Sequence, residues 1–171
     1  MNKILKIAAW KIRMLEEWFL PLALLAARVH VGLAFWRSGM TKYPDIKHAI
    51  SLFEDEYIPA WEKNHIKEWL GFKIPFPVPP AEFAAYLTTY AELGLSALLI
   101  AGLMARSAAA GIFALALCIE LFVYPGTSDH YHWMLLMAII VAAGPGKISI
   151  DHFVRGKLLK PGPYDKTVDI H

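Results

Sequence analysis

The sequence predicts an all-α integral membrane protein. Its expected form is a four-helix bundle with an amphipathic N-terminal helix and a long outer loop between spans 1 and 2. Composition is the first observation: 171 residues, 57% hydrophobic, with a mean hydropathy of +0.41, well above an ordinary soluble domain. The second is a set of four apolar segments, at about 19–40, 82–104, 107–124 and 131–144, against roughly 20 residues needed to cross a bilayer core. The third is charge at depth. Arg28 stands inside the apolar run Phe19–Trp36, and Glu92 inside Phe83–Met104. An ionisable side chain there costs about 3 kcal/mol or more, so it is usually paired, inward-facing or functional.

A single membrane domain over residues 1–171 suits this length. The formal charge of +2 and the gathering of basic residues at the two ends argue against a nucleic-acid partner. Cys118 is the only cysteine, which excludes an internal disulfide, a CxxC redox pair and a thiolate-rich metal site. Its expected role is that of an inert buried thiol.

The N-terminal lead mixes Lys3, Lys6, Lys11 and Arg13 with Ile4, Leu5, Ile7, Trp10 and Ile12. That pattern predicts a helix lying on the membrane surface, with Trp10 and Trp18 at headgroup level. The apolar run that follows is too long for a cleavable signal, so the lead is expected to be retained. Span 1 leads into the loop 41–81. There, Ile46, Ala49, Ile50, Phe53 and Tyr57 recur at helical spacing, while the proline-rich stretch Ile74–Pro80 cannot continue a helix. Phe53, Trp61, Trp69, Phe72 and Phe76 favour a packed cap over the outer mouth; a solvated loop is the alternative. Span 3 ends at Pro125-Gly126, and the short span 4 ends at Gly144-Pro145-Gly146. The tail 145–171 follows.

Lys and Arg counts orient the spans. The N-terminal lead, Arg106 between spans 2 and 3, and Lys147, Arg155, Lys157, Lys160 and Lys166 after span 4 fall on one side. The turn around Ser128 has no Lys or Arg, and the basic residues of the loop 41–81 are offset by acidic ones. Both termini are therefore expected in the cytoplasm, with the chain a multi-pass protein of the bacterial cytoplasmic (inner) membrane.

Helical phase decides which side chains meet. Arg28 shares a face with Gly32, Phe35 and Gly39, and His30 lies on another face. Glu92 shares its face with Ala85, Thr88, Thr89, Ser96 and Leu99. Antiparallel neighbours with both charges placed mid-span predict an Arg28–Glu92 ion pair, whose role is either to fix register or to hold a ligand. A second polar cluster is expected in the outer half: Glu120, Asp129, His130, His132 and Lys42, with His30 as a further member. Glu120 has a snorkelling alternative. Residues two apart on a helix diverge, so His130, His132 and Glu120 are only weak metal candidates and no metal is assigned. Trp133, Tyr131 and Trp36 read more readily as an aromatic belt than as a cofactor box.

Several of these residues carry a family resemblance. The series Arg28, Gly32, Phe35, Ser38-Gly39 and Lys42, the stretch Phe53–Pro59, Glu92 with Gly94, the run Gly102–Arg106, His132-Trp133, and Gly144-Pro145-Gly146 followed by Ser149 and Asp151 resemble, in order and spacing, the DoxX/DoxD family of small four-helix membrane proteins. The resemblance covers about residues 24–155, and Arg28, Lys42, Glu92, His132, Trp133 and Asp151 fall on family positions. It implies a membrane subunit or module of a redox system. DoxD-type members are the membrane subunit of a thiosulfate:quinone oxidoreductase. Other members are linked to oxidative-stress assemblies, or are encoded beside metal-handling or peptide-modification proteins.

Two functions compete. The first is a quinone-linked redox module whose intramembrane ligand site draws on Arg28, Glu92, Lys42, Glu120, His132 and Trp133, with quinone as the implied cofactor. The alternative is non-enzymatic: a membrane module for a small solute or metal complex, or a structural subunit of a larger complex. The lipid bilayer is a partner in either case, with partner subunits or further copies of the chain as candidates. Neither reading requires that the chain itself turn over a substrate, and no catalytic residue is assigned.

Overall fold

The computed structural model describes residues 3–63 and 77–158, and all regular structure among them is helical. Helix α1 (Lys3–Met14) runs through a π-helical turn at Leu15–Phe19 into α2 (Leu20–Lys42). Helix α3 (Ile46–Leu52) runs through a second π turn at Phe53–Tyr57 into α4 (Ile58–Lys63). Then come α5 (Ala81–Ala101) and α6 (Ala105–Cys118), the latter ending in a third π turn at Ile119–Val123. Helices α7 (Ser128–Ala143) and α8 (Ile150–Leu158) follow.

The π turns have a common cause in the sequence. Each is followed, two residues past its end, by a proline: Pro21, Pro59 and Pro125. A proline cannot donate to the carbonyl four residues back, and its ring crowds that carbonyl. The carbonyl concerned lies in the middle of each π turn, where the wider winding makes room. The lead and span 1 are therefore one continuous helix rather than two elements.

Helices α2 and α5 pack together, as do α6 and α7, and α5 on α6 and α2 on α7 join the two pairs. The shared core is built from Leu24, Val31, Phe35, Leu99, Ala108, Ala109, Ile112, Ala116, Met137 and Ile140. Gly32 and Gly39 let α2 come close to α5: a Cβ at Gly32 would stand 2.6 Å from Ile100, and one at Gly39 2.8 Å from Leu93. Large apolar side chains such as Leu22, Leu87, Leu135 and Ile139 face outward, while Arg28, Thr89, Glu92 and Ser96 are buried. Polar inside and apolar outside is the arrangement a hydrocarbon solvent favours.

Among the described residues, three helices are long and apolar enough to cross a membrane: Trp10–Lys42, Ala81–Ala101 and Ala105–Val123. Helix α7 has 16 residues and begins three residues before the span expected from Tyr131. The expected end of span 2 at Met104 also moves. Gly102, with φ +71°, closes α5, and the amides of Gly102 and Leu103 donate back to Leu99 and Leu98. This is a Schellman ending.

In the loop, Asp45 caps α3 by accepting from the His48 amide at 3.1 Å. The residues expected on one helical face bury together, with Ala49 and Phe53 packed on Ala84 and Ala85 of α5 and flanked by Ile46, Ile50 and Tyr57. Helix α4 rests on the π turn at Ile119–Val123. The Trp61 side chain, Trp69, Phe72, Phe76, Lys160 and Lys166 lie outside the described residues.

Candidate functional site

The C-terminal end of α2, the N-terminal end of α5, the C-terminal end of α6 and the start of α7 enclose a cavity of about 370 Å³, with Phe53, Tyr57 and Ile58 of the loop on its remaining side. Most of its wall is apolar. A volume of this size falls at the small end of ordinary ligand sites.

One polar wall is an ion pair. Lys42 Nζ donates to both carboxylate oxygens of Glu92, each at 2.7 Å, and to Ser38 Oγ at 3.1 Å. The close approach at Gly39 explains the pairing, since a Cβ at Gly39 would lie 3.3 Å from Glu92 Cβ. Ser38 and Lys42 are one helical turn apart, as are Thr88 and Glu92, so all four reach the cavity from two facing helices.

The expected Arg28–Glu92 pair is not formed. Gly39 stands opposite Glu92, and Arg28 lies three turns further along α2, about 16 Å away at the helical rise. Its guanidinium sits by the closing turn of α5, where Nη2 donates to the Ile148 carbonyl. Beside it, Asp151 accepts from the amides of Met104 and Ala105 at 2.7 and 2.8 Å and caps α6, while its own amide donates to the Gly102 carbonyl at 2.9 Å. Arg28 therefore ties α2 to the segment between α7 and α8 and does not line the cavity. Nε and Nη1 of Arg28 have no protein partner among the described residues.

The second pair is Glu120 and His130. Glu120 Oε1 accepts from the Gly126 amide at 2.6 Å, Oε2 lies 2.8 Å from His130 Nδ1, and Tyr131 reaches the same carboxylate. Glu120 is 5% exposed and held on both oxygens, which replaces the snorkelling alternative. His130 lines the cavity, and Trp133 beside it packs edge-on against Phe35 with ring centroids 5.2 Å apart.

The expected outer cluster thus separates. Lys42 belongs with Glu92, and Glu120 with His130. Asp129, His132 and His30 are exposed and do not join either pair. His130 and His132 diverge around α7, and among the described residues no three His, Cys, Asp or Glu side chains gather to hold a metal. Of the expected ligand-site residues, Lys42, Glu92 and Trp133 line the cavity, Glu120 acts behind His130, and Arg28 and His132 stand apart.

Residues not anticipated for the cavity are Ser38, Tyr57, Cys118 and Tyr124. The signal for Ser38 was its helical spacing from Lys42; for Tyr57, its place on the loop's apolar face. Cys118 is exposed rather than buried. The Tyr124 hydroxyl donates to Glu56, and its ring packs edge-on against Tyr57 at 5.8 Å, so the loop is clasped to the end of α6. Burial pushes the Tyr57 phenol above the ordinary tyrosine range.

The DoxX family model matches residues 23–125. No curated protein and no solved structure matches the chain.

Proposed function

The chain belongs to the DoxX family of membrane proteins, and from that premise we propose that it is the membrane module of a quinone-linked redox system, binding the quinone ring in the cavity beside Lys42 and Glu92. One observation carries the reading: an apolar cavity of about 370 Å³ that is bordered by lipid-facing Phe83 and Leu87 and holds a buried ion pair in its wall. An apolar ring enters such a space from the bilayer without crossing water, and a few polar groups fix its orientation. A quinone would supply two-electron carrier chemistry. The residues of this chain would bind and orient it: the Ser38 hydroxyl can donate to a quinone carbonyl, the Lys42–Glu92 pair forms a fixed polar wall, and Trp133 offers an aromatic one.

The proposal includes a four-helix membrane bundle in a bacterial inner membrane, with both termini cytoplasmic and the loop 41–81 as an outer cap. Electrons would come from a partner subunit, as in the thiosulfate enzyme that the sequence resembles. Arg28 and Asp151 hold the far end of the bundle together and take no part in ligand binding.

Organic extraction of the purified protein, followed by chromatography for quinones, tests the reading together with thermal denaturation in the presence of a short-chain quinone analogue. Co-extracted quinone and a raised Tm that is lost in Trp133→Ala are expected. No quinone and no shift with any analogue would remove the quinone and leave the solute or assembly roles.

A further inference from the structure

Both oxygens of Glu120 accept hydrogen bonds, from the Gly126 amide and from His130 Nδ1. An acceptor-only carboxylate requires that Nδ1 carry the proton, which leaves Nε2 of a neutral imidazole as a base. Nε2 has no partner among the described residues, and the ring lines the cavity. The far end of the dyad reaches Tyr131, which is 54% exposed. The chain Tyr131–Glu120–His130 therefore links the surface of the molecule to the cavity.

We infer that His130 is a proton acceptor for a ring-hydroxylated aromatic ligand, a quinol or phenol, with Glu120 as the positioning residue behind it. This rests on the cavity reading above. The ligand O–H bond breaks, a bond forms from that proton to Nε2, and the electron pair stays on the ligand oxygen as an oxyanion. Glu120 compensates the imidazolium so formed and holds the ring in the productive tautomer. The other groups around the cavity do not compete for this role. Lys42 spends its three donors on Glu92 and Ser38 and holds both Glu92 oxygens in doing so, Tyr124 donates to Glu56, Tyr57 packs in the loop clasp, and Cys118 is a thiol that carries its own proton.

The test uses the full-length protein in detergent with 4-nitrophenol and its methyl ether, following quenching of the fluorescence that disappears in Trp133→Phe. The absorption of the phenol reports its own ionisation. At a pH about one unit below the probe's own pKa, wild-type protein is expected to bind both probes and to hold the phenol as the yellow phenolate. His130→Gln and Glu120→Gln are expected to keep binding the ether, which has no proton to give, so each probe's affinity is compared with the other's within one variant. Relative to the ether, both variants should bind the phenol about tenfold more weakly than wild type does and keep it neutral. A purely structural Glu120 would change Tm but not the colour of the bound probe. A neutral phenol bound to wild type, or a phenolate bound to either variant, overturns the inference while leaving the cavity reading intact. Failure of both probes to bind overturns the cavity reading and this inference with it.

Discussion

Lys42 Nζ lies 2.7 Å from each carboxylate oxygen of Glu92, across a helix contact that Gly39 makes narrow enough for the two to meet. The pair is buried, so its members depend on each other. A charge left alone in such a place costs far more than the net value of the bridge.

Glu92→Gln or Lys42→Met alone should destabilise the fold by about 3 kcal/mol. The double substitution should cost clearly less than the sum, because it leaves no unpaired charge. Glu92→Gln combined with Arg28→Gln should be additive, since those residues are about 16 Å apart. Chemical denaturation of the wild type, the three single variants and the two double variants in detergent reads all three outcomes. Additivity for the lysine pair would contradict the structure.

Gly102 takes φ +71°, and a Cβ there would lie 2.1 Å from Arg28 Nη1. Gly102→Ala should therefore lower stability by at least about 1–2 kcal/mol from the left-handed backbone alone, with the displaced guanidinium adding to it. Thermal denaturation gives the total. In an Arg28→Ala background the loss should shrink but stay above the backbone cost, because the collision with the guanidinium is gone while Ser149 Cβ would still stand 2.7 Å away.

Asp151 holds the amide of Met104, the residue before α6, and that of Ala105, its first residue. Asp151→Ala should cost about 1 kcal/mol, the usual loss of a helix cap. The amides of Met104 and Ala105 should exchange faster than those at the other end of α6. Hydrogen exchange by mass spectrometry distinguishes this local fraying from global unfolding.

The loop is clasped by the bond from Tyr124 to Glu56 and by the Tyr57 ring. Tyr124→Phe should loosen residues 46–63 by about 1 kcal/mol, seen as faster exchange there and a faster off-rate for any cavity ligand. Burial pushes the Tyr57 phenol up, so the clasped state binds that proton more tightly than the open one. Its contribution should be complete at neutral pH and fall away as pH rises beyond about 10, the open-state value. A loop that loosened first at acidic pH would contradict this sign.

The amino-acid sequence by itself determined the class and the faces. Hydropathy marks the apolar helices, and helical phase puts Arg28, Gly32, Phe35 and Gly39 on one buried stripe and Ala85, Thr89, Glu92 and Ser96 on another. The loop face from Ile46 to Tyr57 was readable from the same period, and the three prolines that follow the π turns were there to be read. Partner choice was decided only by tertiary structure. Period says which way a side chain points but nothing about how far one helix slides along its neighbour. The apolar run Phe19–Trp36 looks centred near Arg28, yet the helix continues to Lys42 and its register on α5 is set by glycines meeting Ile100 and Leu93. That slide sends Arg28 to the closing turn at Gly102 and gives Glu92 to Lys42. The same limit hid the cavity, which exists only because the ends of four helices and one loop surround a space that no single segment encodes.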